Sequence, residues 1–420
     1  MIITETTHLA ASYSATRNKT VALCQPLKEE DTVVQPIVDV SPPKWHLGHS
    51  TWFFENFILS RFKKGYKHFN KSWNYIFNSY YESQGERILR TNRGNLTRPS
   101  YSEIIAYRKY VDSQMQEMIS DEAIADKIND WVILGLQHEM QHQELLVTDI
   151  KYILGNNPLF PIYKGQEIEL GLVPNTEGAH FLEIEEGLYE IGYKGDGFHF
   201  DNETGFHKTF LHAYKIMDRL ITNVEYLEFI EAGGYEKYQF WLSEGWEWVK
   251  ENKVKAPLYW FKVDGCWHNY TLGGFQKVDL SAPVTHVNFF EADAFARWKE
   301  MRLPTEFEWE TACKLFSPEI PQDANLLESE KYTPVPRTKN DFQFYGEVWE
   351  WTNSSYLPYP YYKQDKGALG EYNGKFMINQ MVLKGGSCAT PYTQIRASYR
   401  NFFQTDKQWQ FSGIRLAAYQ

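Results

Sequence analysis

Apolar residues recur at helical spacing through roughly the first 155 positions, and at the tighter spacing of strands beyond them. Trp45, Leu47, Trp52, Phe53, Phe57 and Ile58 mark one helix over 44–62, opened by Ser41 and the prolines Pro42 and Pro43. A cap residue followed by proline suits a first turn, whose N–H groups have no partner within the helix. A second helix is expected over 100–119, starting near Ser102 with Glu103 in its first turn. The broad stripe of Ile133, Leu136, Met140, Leu145 and Ile150 predicts a long helix from Ala123 to Leu154, ended by Gly155, Asn156, Asn157 and Pro158. With an earlier helix over about 4–25, these make a four-helix bundle.

After Pro161 the texture changes. GLYEIGY, HKTFLHAYKIM, GKFMINQMVLKGGS and GIRLAAY read as short strands set between Gly- and Asn-containing turns. Two helices interrupt them, Thr222 to Glu231, with Glu225 at the capping-box position, and Asn288 to Met301. The expected organisation is a helical domain over 1–155, a connector over 156–180 and an aromatic-rich α+β domain over 181–420.

Composition narrows the function. The 420 residues are 43% hydrophobic and 16% aromatic, enough to bury a large core. A net charge of −11 and a pI near 5.6 argue against a nucleic-acid partner, which selects basic surfaces. The amino terminus lacks the features of a secretory signal and no run is long enough to span a bilayer. Cys24, Cys266, Cys313 and Cys388 form no CxxC pair, so a reducing cytoplasm without disulfides is expected. The chain leaves its oligomeric state open.

The sharpest chemical feature is His138-Glu139-Met140-Gln141-His142 on the long helix. Residues four apart lie one above the other, so both imidazoles can reach one metal ion. The pattern also spells H-E-x-x-H, in which a zinc protease uses the Glu as general base. That reading needs a third ligand downstream, and QELLVTDIKYILGNNP offers no such extension; Glu144 is two residues on and turned away, and Glu167 and Glu169 lie past the helix end. His46 and His49, in Trp45-His46-Leu47-Gly48-His49, supply a better third ligand from the 44–62 helix. Gly48 costs a helix up to ~1 kcal/mol relative to Ala, so it implies close backbone packing against a metal or substrate. Three His with open coordination positions describe a catalytic site.

SPPKWHLGHSTWFFENFIL, NSYYES and LQHEMQHQELLVTDI together resemble the sulfoxide synthases of ergothioneine biosynthesis, the EgtB family. GFHFDNE, ITNVEYLEFIEAGGY, PVTHVNFFEADAFARW, MRLPTEFEWE, GEVWEWTNS, KGGSC, SYRNFF and WQFSGIRLA extend the resemblance over nearly the whole chain. It implies a DinB-like four-helix bundle followed by a formylglycine-generating-enzyme-like domain, a variant of the C-type lectin fold. It further implies mononuclear non-haem Fe(II) on His49, His138 and His142, with His46 as a structural neighbour, and O₂ as co-substrate. The implied reaction joins a thiol, cysteine before γ-glutamylcysteine, to the imidazole C2 of N,N,N-trimethylhistidine as a sulfoxide. Iron suits it because zinc has no redox chemistry.

The resemblance carries roles to further residues. Tyr80 and Tyr81 match the tandem tyrosines of the cysteine-using branch, where a phenol can donate a proton. Arg87 and Arg90 can pair bidentately with the thiol substrate's carboxylate, and Gln141 can hydrogen-bond its imidazole partner. Phe402 and Phe403, in a segment expected to be a pocket-closing loop, present aromatic faces to a trimethylammonium group. GEVWEWTNS and MRLPTEFEWE are assigned to fold maintenance. The competing readings are a zinc metallohydrolase, a related synthase accepting histidine or a selenium donor, and a non-catalytic lectin-like binder. A copper-binding thiol oxidase of the second domain's fold needs a cysteine pair; GGSC supplies Cys388, but Cys313, the next nearest, sits in an apparent helix, TACKLF, so the pair is unmet.

Overall fold

The computed structural model describes residues 5–79, 81, 84–165, 178–337, 342–364 and 373–420, and its contacts divide the chain into units at Lys164/Gly165. The first unit is helical. Its main helices are Glu5–Cys24, Pro43–Phe54, Tyr101–Ile119 and Glu122–Gly155, the four expected from the apolar pattern. Ser100 caps the third, two residues before the expected start: its Oγ accepts the Glu103 N–H at 3.3 Å, while Glu103 Oε2 accepts the Ser100 N–H at 2.7 Å. The 44–62 helix is not uniform. Five residues of π-helix, Glu55–Leu59, separate Pro43–Phe54 from the last turn, Ser60–Phe62. Bulges of this kind often flank functional sites. A short helix, Trp73–Phe77, was not expected.

Glu55 pins the π segment to the loop after it. Its Oε1 accepts Tyr66 Oη–H at 2.7 Å and Phe69 N–H at 3.0 Å, and its Oε2 accepts Tyr107 Oη–H at 2.5 Å.

The second unit contains twelve short strands among its described residues. They form the sheets β1–β4–β12 (Phe181–Ile184, Tyr214–Met217, Ala417–Tyr419) and β10–β9–β8–β11 (Asn401–Phe403, Met381–Lys384, Trp349–Ser355, Ser412–Gly413). Two smaller ones are β2–β3 (Gly187–Ile191, His207–Leu211) and β5–β6–β7 (Trp260–Val263, Cys266–Thr271, Gly274–Lys277). All pairings are antiparallel except β11 with β8. The helix capped by Thr222 runs Asn223–Glu231, and the one capped by Asn288 stops at Trp298, three residues before the expected end, with Glu300 at φ 55° breaking the register. Helix Ser243–Asn252 adds to those expected, and helix Glu306–Phe316 contains the TACKLF segment read as helical around Cys313.

Trp309, Trp349 and Trp351 are fully buried in this unit's core beside two guanidinium–carboxylate pairs. Arg400 Nε donates to Glu306 Oε2 at 2.8 Å and Arg415 Nε to Glu350 Oε2 at 2.6 Å. Glu306 and Glu350 come from MRLPTEFEWE and GEVWEWTNS, so both motifs carry partners of buried charges. Among the described residues no helix is long and apolar enough to cross a membrane.

Candidate metal centre

Helix Pro43–Phe54 is buried along its whole length, and His49 faces His138 and His142 of the long helix. The ring centroids lie 5.0 Å (His49–His138), 4.7 Å (His49–His142) and 4.7 Å (His138–His142) apart. One nitrogen from each ring lies within 4.8 Å of the others, a spacing one ion spans with small ring rotations, given N–metal bonds of about 2.0–2.1 Å. Among the described residues this is the one such group of three.

The rings are held by packing and hydrogen bonds. Trp45 stacks on His49 at 4.6 Å and 12°, Trp52 on its other side at 5.5 Å and 14°, and Phe53 stacks on His138 at 4.7 Å. The Arg93 guanidinium sits 3.4 Å from the Trp45 ring centre and donates to Ser41 Oγ and Ser79 Oγ, both at 2.9 Å. Nδ1 of His49 lies 2.6 Å from the Phe77 carbonyl oxygen, which can only accept, so Nδ1 carries the proton and Nε2 offers its lone pair. His46 stands behind His142, outside the group of three: its Nδ1 is 2.9 Å from His142 Nδ1 and its Nε2 is 3.0 Å from Asp149 Oδ2.

Burial and then the charge of His138 depress the His49 pKa well below that of a free imidazole, against the pull of the Phe77 carbonyl. Burial, then His138 and His49, does the same to His142; burial pushes His138 down to about 4 despite Glu139. Three neutral, buried imidazoles form a donor set ready for a borderline transition metal, and the residues present fit such an ion.

Gly48 has a different reason from the one expected. A Cβ there would lie 2.2 Å from the Phe77 ring, so the close neighbour is an aromatic edge and not a metal. Phe77 also supplies the carbonyl that orients His49. Gly48→Ala is therefore expected to destabilise the protein by about 1–3 kcal/mol through overpacking, and to weaken metal binding as the Phe77 carbonyl shifts. Thermal melts with and without metal check it; an unchanged melt would show that the ring moves freely.

Glu139 does not point at the triad. It is fully buried, accepts Arg17 Nη1–H at 2.8 Å and Thr20 Oγ–H at 2.6 Å, and forms a further ion pair with Arg108. That arrangement removes the general base which an H-E-x-x-H protease needs. Tyr81 is buried beside the triad, its ring 6.5 Å from His49 and 6.3 Å from His138, and packed on Trp52, Phe53 and Phe57. Tyr80 lies outside the described residues. Arg90 donates to the Asp39 carbonyl, which ties it to the loop before the metal helix, while Arg87 and Gln141 are half-buried.

In the second unit, Phe402 and Phe403 sit in strand β10, not in a loop, because β10 pairs with β9. Phe402 stacks on Tyr356 at 4.1 Å, and Phe403 meets Trp409 edge-on. Cys313 is buried in helix Glu306–Phe316, and burial pushes its thiol up to about 12. Sequence reasoning did not assign roles to Trp45, Trp52, Arg93 or Asp149. Only Asp149 carries a local signal, lying seven residues, two helical turns, beyond His142.

The profile of the DinB superfamily matches residues 12–146, and that of the sulfatase-modifying factor enzyme 1-like domain matches 169–419. The chain is thus a DinB-type bundle bearing a three-histidine centre, followed by a domain of the sulfatase-modifying-factor type. It is 30% identical over 312 residues to the hercynine oxygenase of Mycolicibacterium smegmatis, covering 68% of this chain and 70% of that one. To the hercynine oxygenase of Mycobacterium tuberculosis it is 31% identical, over 52% of this chain and 55% of the relative. The ergothioneine biosynthesis protein 1 of Schizosaccharomyces pombe is 27% identical over 62% of this chain and 33% of its own length. The chain belongs to the hercynine oxygenase family, the EgtB-type sulfoxide synthases, and is an oxidoreductase.

Proposed function

We propose that the protein is a non-haem iron(II)- and O₂-dependent synthase that joins cysteine to the imidazole C2 of hercynine, the trimethylated histidine, in the cytoplasm. The observation that carries this reading is the buried triad of His49, His138 and His142, with one ring nitrogen of each within 4.8 Å of the others, in a chain of this family. The reaction balances as thiol plus imidazole C2–H plus O₂ giving sulfoxide plus water: one S–C bond and one S=O bond form, S–H and C–H break, and O₂ takes four electrons. When bound, iron(II) supplies the one-electron chemistry with O₂ that zinc lacks.

The chain's own residues hold the reactants and move protons. The Tyr81 hydroxyl, and Tyr80 beside it in sequence, would supply a proton as oxygen is reduced. Arg87, with Arg90 held on the Asp39 carbonyl, would receive a carboxylate, and Gln141 an imidazole N–H. Anaerobic iron(II) loading, followed by O₂ uptake and mass spectrometry with hercynine and each candidate thiol, tests the whole reading; no sulfoxide with any thiol would end it.

Tyr81→Phe is expected to keep its metal and slow sulfoxide formation by roughly 10²-fold, the lower range for a lost general acid. Some turnover should divert to oxidation of the thiol alone. Tyr80→Phe is measured alongside it, and unchanged rate and product in both variants would remove the acid role from the pair.

A further inference from the structure

The three rings of the triad are not supported alike. His49 leans on a backbone carbonyl, whereas His142 leans on a second histidine that leans in turn on a carboxylate. We propose that His46 and Asp149 form a positioning relay that sets the tautomer of His142 and strengthens its hold on the metal. The inference rests on the metal-centre reading above and adds a role for two residues outside the triad.

The argument runs from the carboxylate outward. Asp149 Oδ2 accepts the Ser41 backbone N–H at 2.8 Å, so this oxygen is oriented as an acceptor, and it lies 3.0 Å from His46 Nε2. His46 Nε2 therefore carries hydrogen, and in the neutral ring Nδ1 is the acceptor. The atom 2.9 Å away is His142 Nδ1, which must then be the donor, and His142 Nε2 is left as the bare lone pair. One carboxylate thus fixes two tautomers. An imidazole whose N–H points at a carboxylate-backed acceptor is also the more basic ligand. Burial makes the arrangement rigid, because His46 and Asp149 are each 2% exposed and His142 is 7% exposed. Asp149 and His142 belong to one helix, and His46 to the helix that carries His49, so the relay also couples the two ligand-bearing helices.

Asp149→Asn tests the carboxylate. Its amide oxygen can still accept from the Ser41 N–H and His46 Nε2–H, so the variant keeps both tautomers and removes the negative charge that makes His142 the stronger donor. Iron(II) affinity, titrated anaerobically on the full chain, is expected to fall 10–100-fold. The iron midpoint potential should rise, because a weaker donor favours the reduced ion. His46→Asn leaves an amide oxygen able to accept from His142 Nδ1, so it should likewise keep the tautomer without the carboxylate and lose affinity to a similar extent. Metal-free melting of each variant is recorded in parallel. Affinity and potential unchanged within twofold in both variants would overturn the relay, as would equal losses accompanied by equally lowered metal-free melting. If the wild-type chain itself binds no iron, the metal-centre reading fails first, so the two failures are distinguishable.

Discussion

His49→Ala, His138→Ala and His142→Ala are each expected to reduce bound iron from about one per chain to near zero, and turnover by ~10³-fold or more. The steepness follows from geometry. With one imidazole gone, two ring nitrogens remain in a pocket walled by Trp45, Trp52 and Phe53, and the two carboxylates described around it are engaged elsewhere: Glu139 is held by Arg17 and Arg108, and Asp149 faces His46. Thermal stability gives a second readout independent of turnover. Metal at a hundredfold excess over its dissociation constant should stabilise the wild-type chain by about 2.7 kcal/mol, and none of the three variants. Retained iron in two of the variants would sink the ligand assignment.

The bundle was legible because its helices carry local marks: apolar stripes, the prolines at 42 and 43, and the Gly-Asn-Asn-Pro stop. The pair His138 and His142 was legible for the same reason, since four-residue spacing is itself a statement about one helix face. Choosing between His46 and His49 was not possible from spacing. They lie three apart, and only the Phe77 carbonyl and Asp149 decide which ring faces the triad and which stands behind it. Helix Glu306–Phe316 did carry a readable signal, Thr305 with Glu308 three residues on, and the structure shows that capping box at 3.2 Å and 2.7 Å. Helix Ser243–Asn252 has no such side-chain cap to mark its start. The stack of Arg93 on Trp45 on His49, and the buried pairs Arg400–Glu306 and Arg415–Glu350, join segments tens of residues apart and leave no local pattern to read.

Glu139→Gln is expected to cost about 3 kcal/mol, because it removes the buried carboxylate paired with Arg108 and leaves Arg17 with Asp112 alone. For the helical unit this corresponds to a fall in melting temperature on the order of 10 °C. The consequence separates two chemistries that share the letters H-E-x-x-H. In a zinc protease the same change removes the general base and abolishes turnover in a folded protein. Here the loss should be of fold, and protein kept cold enough to stay folded should still bind iron and turn over. The acid side gives an independent check. Burial alone would raise the Glu139 carboxyl, but Arg108, Arg17 and Thr20 outweigh it and hold it at about 2. A depressed carboxylate contributes stability that is present above its unfolded value and lost as pH falls through its folded one. The wild-type chain should therefore lose stability between roughly pH 4.5 and 2 at this position, by about 3 kcal/mol. Glu139→Gln has no proton to bind there, so its stability curve should be lower at neutral pH and flatter across that window. Denaturant melts of metal-free wild type and variant at several pH values measure both features, and parallel curves would show that Glu139 is not the charge the two arginines need.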